Sequence, residues 1–279
     1  MADQLLQLRE ILAEVYDLEH INNLLEWDQQ TYMPSGGSED RSYQRATVAR
    51  LAHQRWTADE TGRLIEDLSA CLDALEPDGA ALVRFARREY QKRARVPENY
   101  VAERTRATSL AHEAWLKARR ESNFEAFRPF LEQVFDLRRQ YAEFFAPYNH
   151  IYDPLLDDFE RGLKTAEVQA IFNALRPRQV ELIRAIGDRP QVDDRFMHQA
   201  YPEQAQWDFG VEVVTHFGYD WQRGRLDRTA HPFSIDFSVD DVRITTRFDQ
   251  QQPATAMFGT MHEAGHAMYE QGVDPTLRR

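Results

Sequence analysis

The chain has 279 residues, 42% of them hydrophobic, and a formal net charge of −12. That apolar share is enough for a sizeable core and excludes global disorder, while the acidic balance excludes nucleic acid as the expected partner, because phosphate binding needs concentrated positive charge. Cys71 is the only cysteine, which excludes an intrachain disulfide and fits a reducing compartment.

Most of the chain reads as helix. Met1–Glu10 is an amphipathic helix start without the uninterrupted apolar core of a signal peptide. No run reaches the length of a membrane span, so the expectation is a cytoplasmic protein with no membrane partner. Leu5, Leu8, Leu12, Val15 and Leu18 recur at helical spacing. Thr57-Ala58-Asp59-Glu60 reads as a capping box opening a helix through Leu75, which Pro77-Asp78-Gly79 breaks. Helices are expected over Ala80–Arg95 and Pro97–Arg120. Arg84, Arg87, Arg88, Lys92, Arg93 and Arg95 form a basic cluster, read as a solvated helix face in preference to a steering surface. Ser122-Asn123-Phe124-Glu125 is a second capping box. The helix after it carries Phe127, Phe130, Leu131, Val134, Phe135, Leu137, Tyr141 and Phe144, an aromatic stripe expected in the core. Thr165 reads as the N-cap of a helix to Ile186, and Pro202 and Gly218 bracket another.

The exception to helix is Phe233–Phe248. Ile235, Phe237 and Val239 alternate, Val242, Ile244 and Thr246 alternate again, and Asp240-Asp241 lies between them. The pattern predicts a small β-ribbon just before the last helix. An edge strand there could hold extended peptide by main-chain pairing, with Arg243 and Thr245 projecting from one face. Arg243 has two readings, a fork for a substrate carboxylate or a bridge to a local acid such as Asp241. His231 reads as a turn residue before Pro232, or as a group that contacts substrate. His20, His53, His112, His150, His198 and His216 show no ligand spacing and read as ordinary surface or core histidines.

The last helix carries the chemistry. Gly259-Thr260-Met261-His262-Glu263-Ala264-Gly265-His266 contains His-Glu-x-x-His, a zinc-peptidase signature. Residues four apart share a helix face, so His262 and His266 can point at one metal ion. Glu263 is placed to take a proton from water and pass it to a leaving amine. Met257, Phe258, Met261, Ala264, Ala267 and Met268 supply apolar residues for a buried helix, which Gly272 and Pro275 stop. A catalytic zinc site usually has three protein ligands. The extended His-Glu-x-x-His-x-x-Gly-x-x-His pattern is excluded by Tyr269 and Gly272. Glu270 is too far from His262, about 12 Å along the helix, to join both histidines.

Further stretches extend this reading. His231-Pro232-Phe233, Asp241-Val242-Arg243-Ile244-Thr245, the run Leu25-Glu26-Trp27-Asp28-Gln29-Gln30-Thr31-Tyr32-Met33-Pro34 followed by Gly36-Gly37, and Tyr152-Asp153-Pro154-Leu155-Leu156-Asp157 occur with the histidine motif. Together they resemble the Taq-type thermostable metallocarboxypeptidases, from about residue 20 to the last residue. The resemblance implies a mainly α, groove-shaped zincin-type fold with a small β-ribbon beside the metal helix, akin to the neurolysin and angiotensin-converting enzyme type. It implies stepwise release of residues from peptide C-termini, zinc or cobalt as the cofactor, peptide substrates and a cytoplasmic homodimer. His262 and His266 become metal ligands, Glu263 the general base, and His231, Arg243 and Thr245 substrate-groove candidates.

The family runs to nearly twice this length, and its third metal ligand lies in a His-Glu-Ser-type motif beyond Arg279. The expectation is therefore one incomplete domain: a helical region over residues 1–230, a ribbon over 231–250 and the metal helix over 254–271. Such a chain would be weak or inactive alone, its partner a second copy by family resemblance or a separate C-terminal half. The alternative is a non-catalytic remnant, or half of a split enzyme, acting as a helical partner-binding protein.

Overall fold

Leu8, Ile11 and Val15 recur three and four apart, so a helix through them turns one apolar stripe away from water. In the computed structural model, which describes residues 1–277, that helix is α1 (Ala2–Thr31). It joins α2 (Ser38–Trp56), α3 (Asp59–Ser69) and α4 (Pro77–Arg93) in a core of Leu8, Val15, Trp56, Ile65, Leu68, Val83 and Ala86. Helix α5 (Glu98–Arg120) lies along α2. A polar layer joins α1, α2 and α5. Arg45 is buried and therefore needs partners, which it finds in Glu26 at 2.6 Å and Gln29 at 3.3 Å. Gln29 in turn accepts from the Ser109 hydroxyl at 2.9 Å and donates to the Ser109 carbonyl at 3.1 Å.

The chain divides into two units, residues 1–130 with 197–279, and residues 131–196. The second holds the end of α6 (Phe124–Glu143), the short α7 (Asp153–Leu156) and α8 (Thr165–Gly187). Within it, Asp153 is buried and accepts from both the backbone N–H and the hydroxyl of Thr165, at 2.8 and 2.6 Å.

The first unit also carries α9 (Glu203–Phe217), a sheet and α10 (Pro253–Gln271). The sheet has β1 (Leu226–Arg228), β2 (Ser234–Ser238) and β3 (Asp241–Thr246), in the order β1-β3-β2. Strand β1 runs parallel to β3, and β2 antiparallel to it. One side of the sheet is sealed by Val214, Tyr219, Leu226, Val242, Ile244, Ala264 and Ala267. Among the described residues no helix is long and apolar enough to cross a membrane.

The mainly helical fold with a small ribbon matches expectation, and several local details differ. Helix α3 ends at Ser69, not Leu75, and Pro77 starts α4, where its missing N–H costs nothing. The Thr57 hydroxyl donates back to the His53 carbonyl at 2.9 Å, so it closes α2 and does not cap α3. Asn123, not Ser122, caps α6, by accepting from the Ala126 N–H at 3.2 Å. Thr165 lies one residue inside α8. Of the aromatic stripe only Leu137 and Tyr141 are buried, and Phe135 is 54% exposed. Phe135 stands about 100° round the helix from Val134, off the centre of the stripe. Strand β1 was not foreseen, and it falls within the stretch read as helical. It makes β3 the central strand, so Arg243 and Thr245 do not lie on an edge, and β2 is the edge strand beside α10.

Gly224 enters β1 where the Tyr219 hydroxyl donates to the Val242 carbonyl at 2.7 Å. A Cβ on Gly224 would overlap both of these atoms. Gly224→Ala is expected to destabilise the protein by about 1–3 kcal/mol, the usual cost of overpacking, and a denaturant midpoint equal to that of the unsubstituted protein would contradict this packing.

Candidate metal centre

Proline at the first position starts α10, and both ends of the helix are pinned. Near its start, the Thr260 hydroxyl donates to the Ala256 carbonyl at 2.7 Å and meets the Thr246 hydroxyl of β3 at 3.0 Å. At its end, the Gln271 amide donates to the Asp220 and Arg223 carbonyls and accepts from the Asp220 N–H. The buried face is Ala256, Thr260, Glu263, Ala264, Ala267 and Gln271, a row of small and polar residues. The expected apolar face is corrected here: Phe258 is exposed, and it shares the outer face with His262, His266 and Tyr269.

The two histidines converge. Their Nε2 atoms lie 3.3 Å apart, with ring planes at 82°. Two metal–nitrogen bonds of about 2.05 Å meeting at a tetrahedral angle require a nitrogen separation of about 3.3 Å. The pair therefore fits a shared ion, and imidazole nitrogens suit a borderline divalent metal such as zinc or cobalt. Among the described residues no group of three or more His, Cys, Asp or Glu side chains is arranged to hold a metal ion. Glu270 turns elsewhere, into the field of His20 and Asp236.

Glu263 faces inward and is buried. The Ser234 N–H, at the start of β2, lies beside its carboxylate and favours the charged form. Burial raises its pKa above the usual carboxylate range, and the charges of His262, His266 and His231 and the Ser234 N–H only partly offset this. A carboxyl so placed can take up and return a proton closer to neutral pH.

The three groove candidates separate. His231 shares the electrostatic environment of Glu263 and is exposed, on a turn pinned by Arg119, which donates to the Ala230 carbonyl at 2.8 Å. Arg243 places its fork on Asp241, at 2.8 and 2.7 Å, and packs between the Trp27 and Phe237 rings, 4.4 and 4.7 Å from their centres. Thr245 does not face a groove. It is fully buried, and its hydroxyl accepts from the Phe233 N–H at 2.8 Å and donates to the Phe233 carbonyl at 3.0 Å, which fixes the turn after His231. The contribution of Ser234 was missed, because a main-chain N–H leaves no mark on residue type.

The comparisons with known proteins identify the family. The model of the carboxypeptidase Taq (M32) metallopeptidase family matches residues 7–279, and the chain belongs to that family. It is 37% identical to thermostable carboxypeptidase 1 of Thermus thermophilus, across 95% of this chain and 54% of the relative. It is 35% identical to carboxypeptidase 1 of Bacillus subtilis, across 91% of this chain and 51% of the relative. The crystal structure called BsuCP superposes with a TM-score of 0.96 at 32% identity, over 99% of this chain and 56% of that one. The M32 carboxypeptidase from Deinococcus radiodurans R1 superposes with a TM-score of 0.83 at 37% identity, over 98% and 55%. The chain thus spans about half the length of the relatives it matches.

Cobalt(II) added to the protein is expected to bind through the histidine pair and to show ligand-field absorption. His266→Ala should weaken binding by more than about 100-fold, since losing even an outer-sphere partner of a ligand costs about 10–100-fold. Equal calorimetric affinity in the two proteins would remove the site from α10.

Proposed function

We propose that this protein serves zinc-dependent hydrolysis at peptide C-termini, one residue at a time, with cobalt able to replace zinc. The observation that carries the reading is the 3.3 Å separation of the His262 and His266 Nε2 atoms on one face of α10, beside the inward Glu263. Family membership implies a divalent metal, and the choice of zinc follows from the all-imidazole pair and the family resemblance. Because the chain spans only 54% of the Thermus thermophilus relative, activity, substrate and partners all belong to the proposal.

When bound, the metal supplies Lewis acidity that polarises the scissile carbonyl and makes water acidic enough to attack. The protein residues do the rest. His262 and His266 hold the ion. The Glu263 carboxylate, with the Ser234 N–H beside it, accepts a proton from the attacking water and delivers it to the leaving amine. His231, in the field of Glu263, is positioned to donate a hydrogen bond to the substrate. We place the third metal ligand in a segment corresponding to the length of the relatives that this chain does not span. The cytoplasmic setting, the homodimer and pairing with a separate C-terminal half rest on the family resemblance alone.

The test is mass spectrometry of an unblocked peptide and its C-terminally amidated twin, each incubated with zinc and the protein supplied with the segment of the relatives' length that this chain does not span. Stepwise loss from the free C-terminus only is expected, with the rate reduced by about 10²–10⁴-fold in Glu263→Gln, the usual contribution of a general base. Cleavage that survives in Glu263→Gln, or none in a folded, metal-loaded protein, would defeat the reading, the latter in favour of a non-catalytic role.

A further inference from the structure

On α1, Tyr16, His20 and Asn23 recur four and three apart and so share one face, which meets β2. The His20 side chain is 15% exposed. Its Nδ1 lies 2.7 Å from the Tyr16 carbonyl and its Nε2 3.0 Å from the Asp236 carboxylate. Both partners only accept hydrogen bonds. A neutral imidazole has one N–H, so it would aim a lone pair at one of these oxygens. Only the imidazolium satisfies both. The Tyr16 ring stacks on it at 3.7 Å, a placement that suits a cationic ring. Asn23 adds a second grip on the same residue, donating to the Asp236 carbonyl at 3.2 Å.

Asp236 and Ser234 stand two apart on β2. Their main-chain groups therefore address the same edge of the strand. Asp236 gives that edge to Asn23, and Ser234 turns its N–H on that edge toward Glu263. Glu270, in the last turn of α10, also feels Asp236 and His20. Its carboxyl is pushed up by burial and by the Asp236 charge, and His20 acts in the opposite direction. The imidazolium on α1 thus bonds one carboxylate, on the edge strand, and its charge reaches a second, on the metal helix.

We propose that His20 is a positioning residue: as an imidazolium bonded to Asp236 it latches the β2 edge, and with it the Ser234 N–H that lies beside Glu263, and it frees that edge on losing its proton. The consequence for Glu263 rests on the function proposed above, whereas the latch does not.

The groups that act on His20 are Tyr16 and Glu19 from α1 and Asp236 from β2; Asp17 from α1 and Glu270 from α10 act on the stacked Tyr16, and Glu270 also feels His20. Glu19 is itself engaged by Arg93 of α4 at 2.8 Å. Burial alone would lower the His20 pKa; the Asp236 hydrogen bond, the Tyr16 carbonyl and the charges of Asp236 and Glu19 outweigh it, and the net shift is upward. The Asp236 pKa is lowered, chiefly by its hydrogen bond to His20. A histidine raised on folding contributes stability in full below its unfolded pKa and loses it as pH rises through the folded value. A lowered aspartate loses its contribution only as pH falls through its folded value. The latch is therefore closed from mildly acidic to neutral pH and opens on the alkaline side.

Hydrogen exchange of the segment 233–238, corrected for the intrinsic effect of pH, reads the latch directly. At pH 6 the unsubstituted protein should protect this segment, and protection should fall toward pH 9 by about tenfold for each unit that folding raises the His20 pKa. His20→Gln should show the same lowered protection at both pH values, and His20→Lys, which keeps its charge, should stay protected at pH 9. If His20→Gln does not fold, Asp236→Asn supplies the same comparison. Imidazole nitrogen shifts should show His20 doubly protonated above the usual histidine range. Unchanged protection in His20→Gln at pH 6, a fall in His20→Lys parallel to the unsubstituted protein, or a neutral His20 at pH 6 would each overturn the proposal. A protein that shows the latch but leaves peptides intact loses the proposed function only, and one that cleaves peptides without the latch loses this inference only.

Discussion

The close packing of α10 on β3 governs the site. Ala264 and Ala267 are fully removed from water and pack in one cluster with Val242 and Ile244. Side chains this small let the helix axis approach the sheet, and that contact fixes the rotation of the helix. Once Ala264 faces the sheet, Glu263 is carried inward with it, while His262 and His266 remain on the outer face. A buried carboxylate with no partner would cost several kcal/mol, and the charges of His262, His266 and His231, with the Ser234 N–H at the strand edge, offset part of this. A longer residue at position 264 would lift the helix and undo both arrangements together.

That rotation is where hydropathy misled. Met257 and Phe258 are the larger apolar residues of α10, yet Phe258 faces out and the buried row is alanine, threonine and glutamine. Close backbone approach selected that face, and a hydrophobicity pattern does not report it. The motif itself was legible because four-residue spacing on a helix is local geometry, and the same holds for the spacing of Leu5 to Leu18 in α1, whereas α2 was not singled out. Strand β1 has only three residues and pairs in parallel with a strand that follows it by a loop and another strand, so nothing adjacent in sequence announces it. Thr245 could be assigned to a strand but not to its buried side. His20 read as ordinary because its partner Asp236 lies 216 positions away.

The stretch Leu25–Pro34, part of the family likeness, acts as a brace. Glu26 and Asp28 hold Arg45 and Arg41 of α2, at 2.6 and 2.7 Å. Trp27 is covered by the guanidinium groups of Arg243 and Arg225, at 4.4 and 5.4 Å from its ring. Tyr32 donates to Asp227 of β1 at 2.5 Å, and Asp227, nearly devoid of solvent, also takes the Arg225 fork. Two carboxylates thus face one helix, and two aromatic rings face the sheet. Each arginine near this junction already has an acid of its own, so the charges there chiefly fix geometry.

Helix α1 therefore meets the sheet twice, through residues 16–23 on β2 and through residues 27–32 on β1 and β3. The two parts of the site depend on this differently. The spacing of His262 and His266 is internal to α10 and survives wherever that helix survives. The position of Glu263 depends on a strand edge, and that edge is held by a helix from the other end of the sequence. A perturbation of α1 should leave the histidine pair intact while it shifts the base. Metal binding and proton transfer are thus separable properties of this fold, the first local and the second long-range.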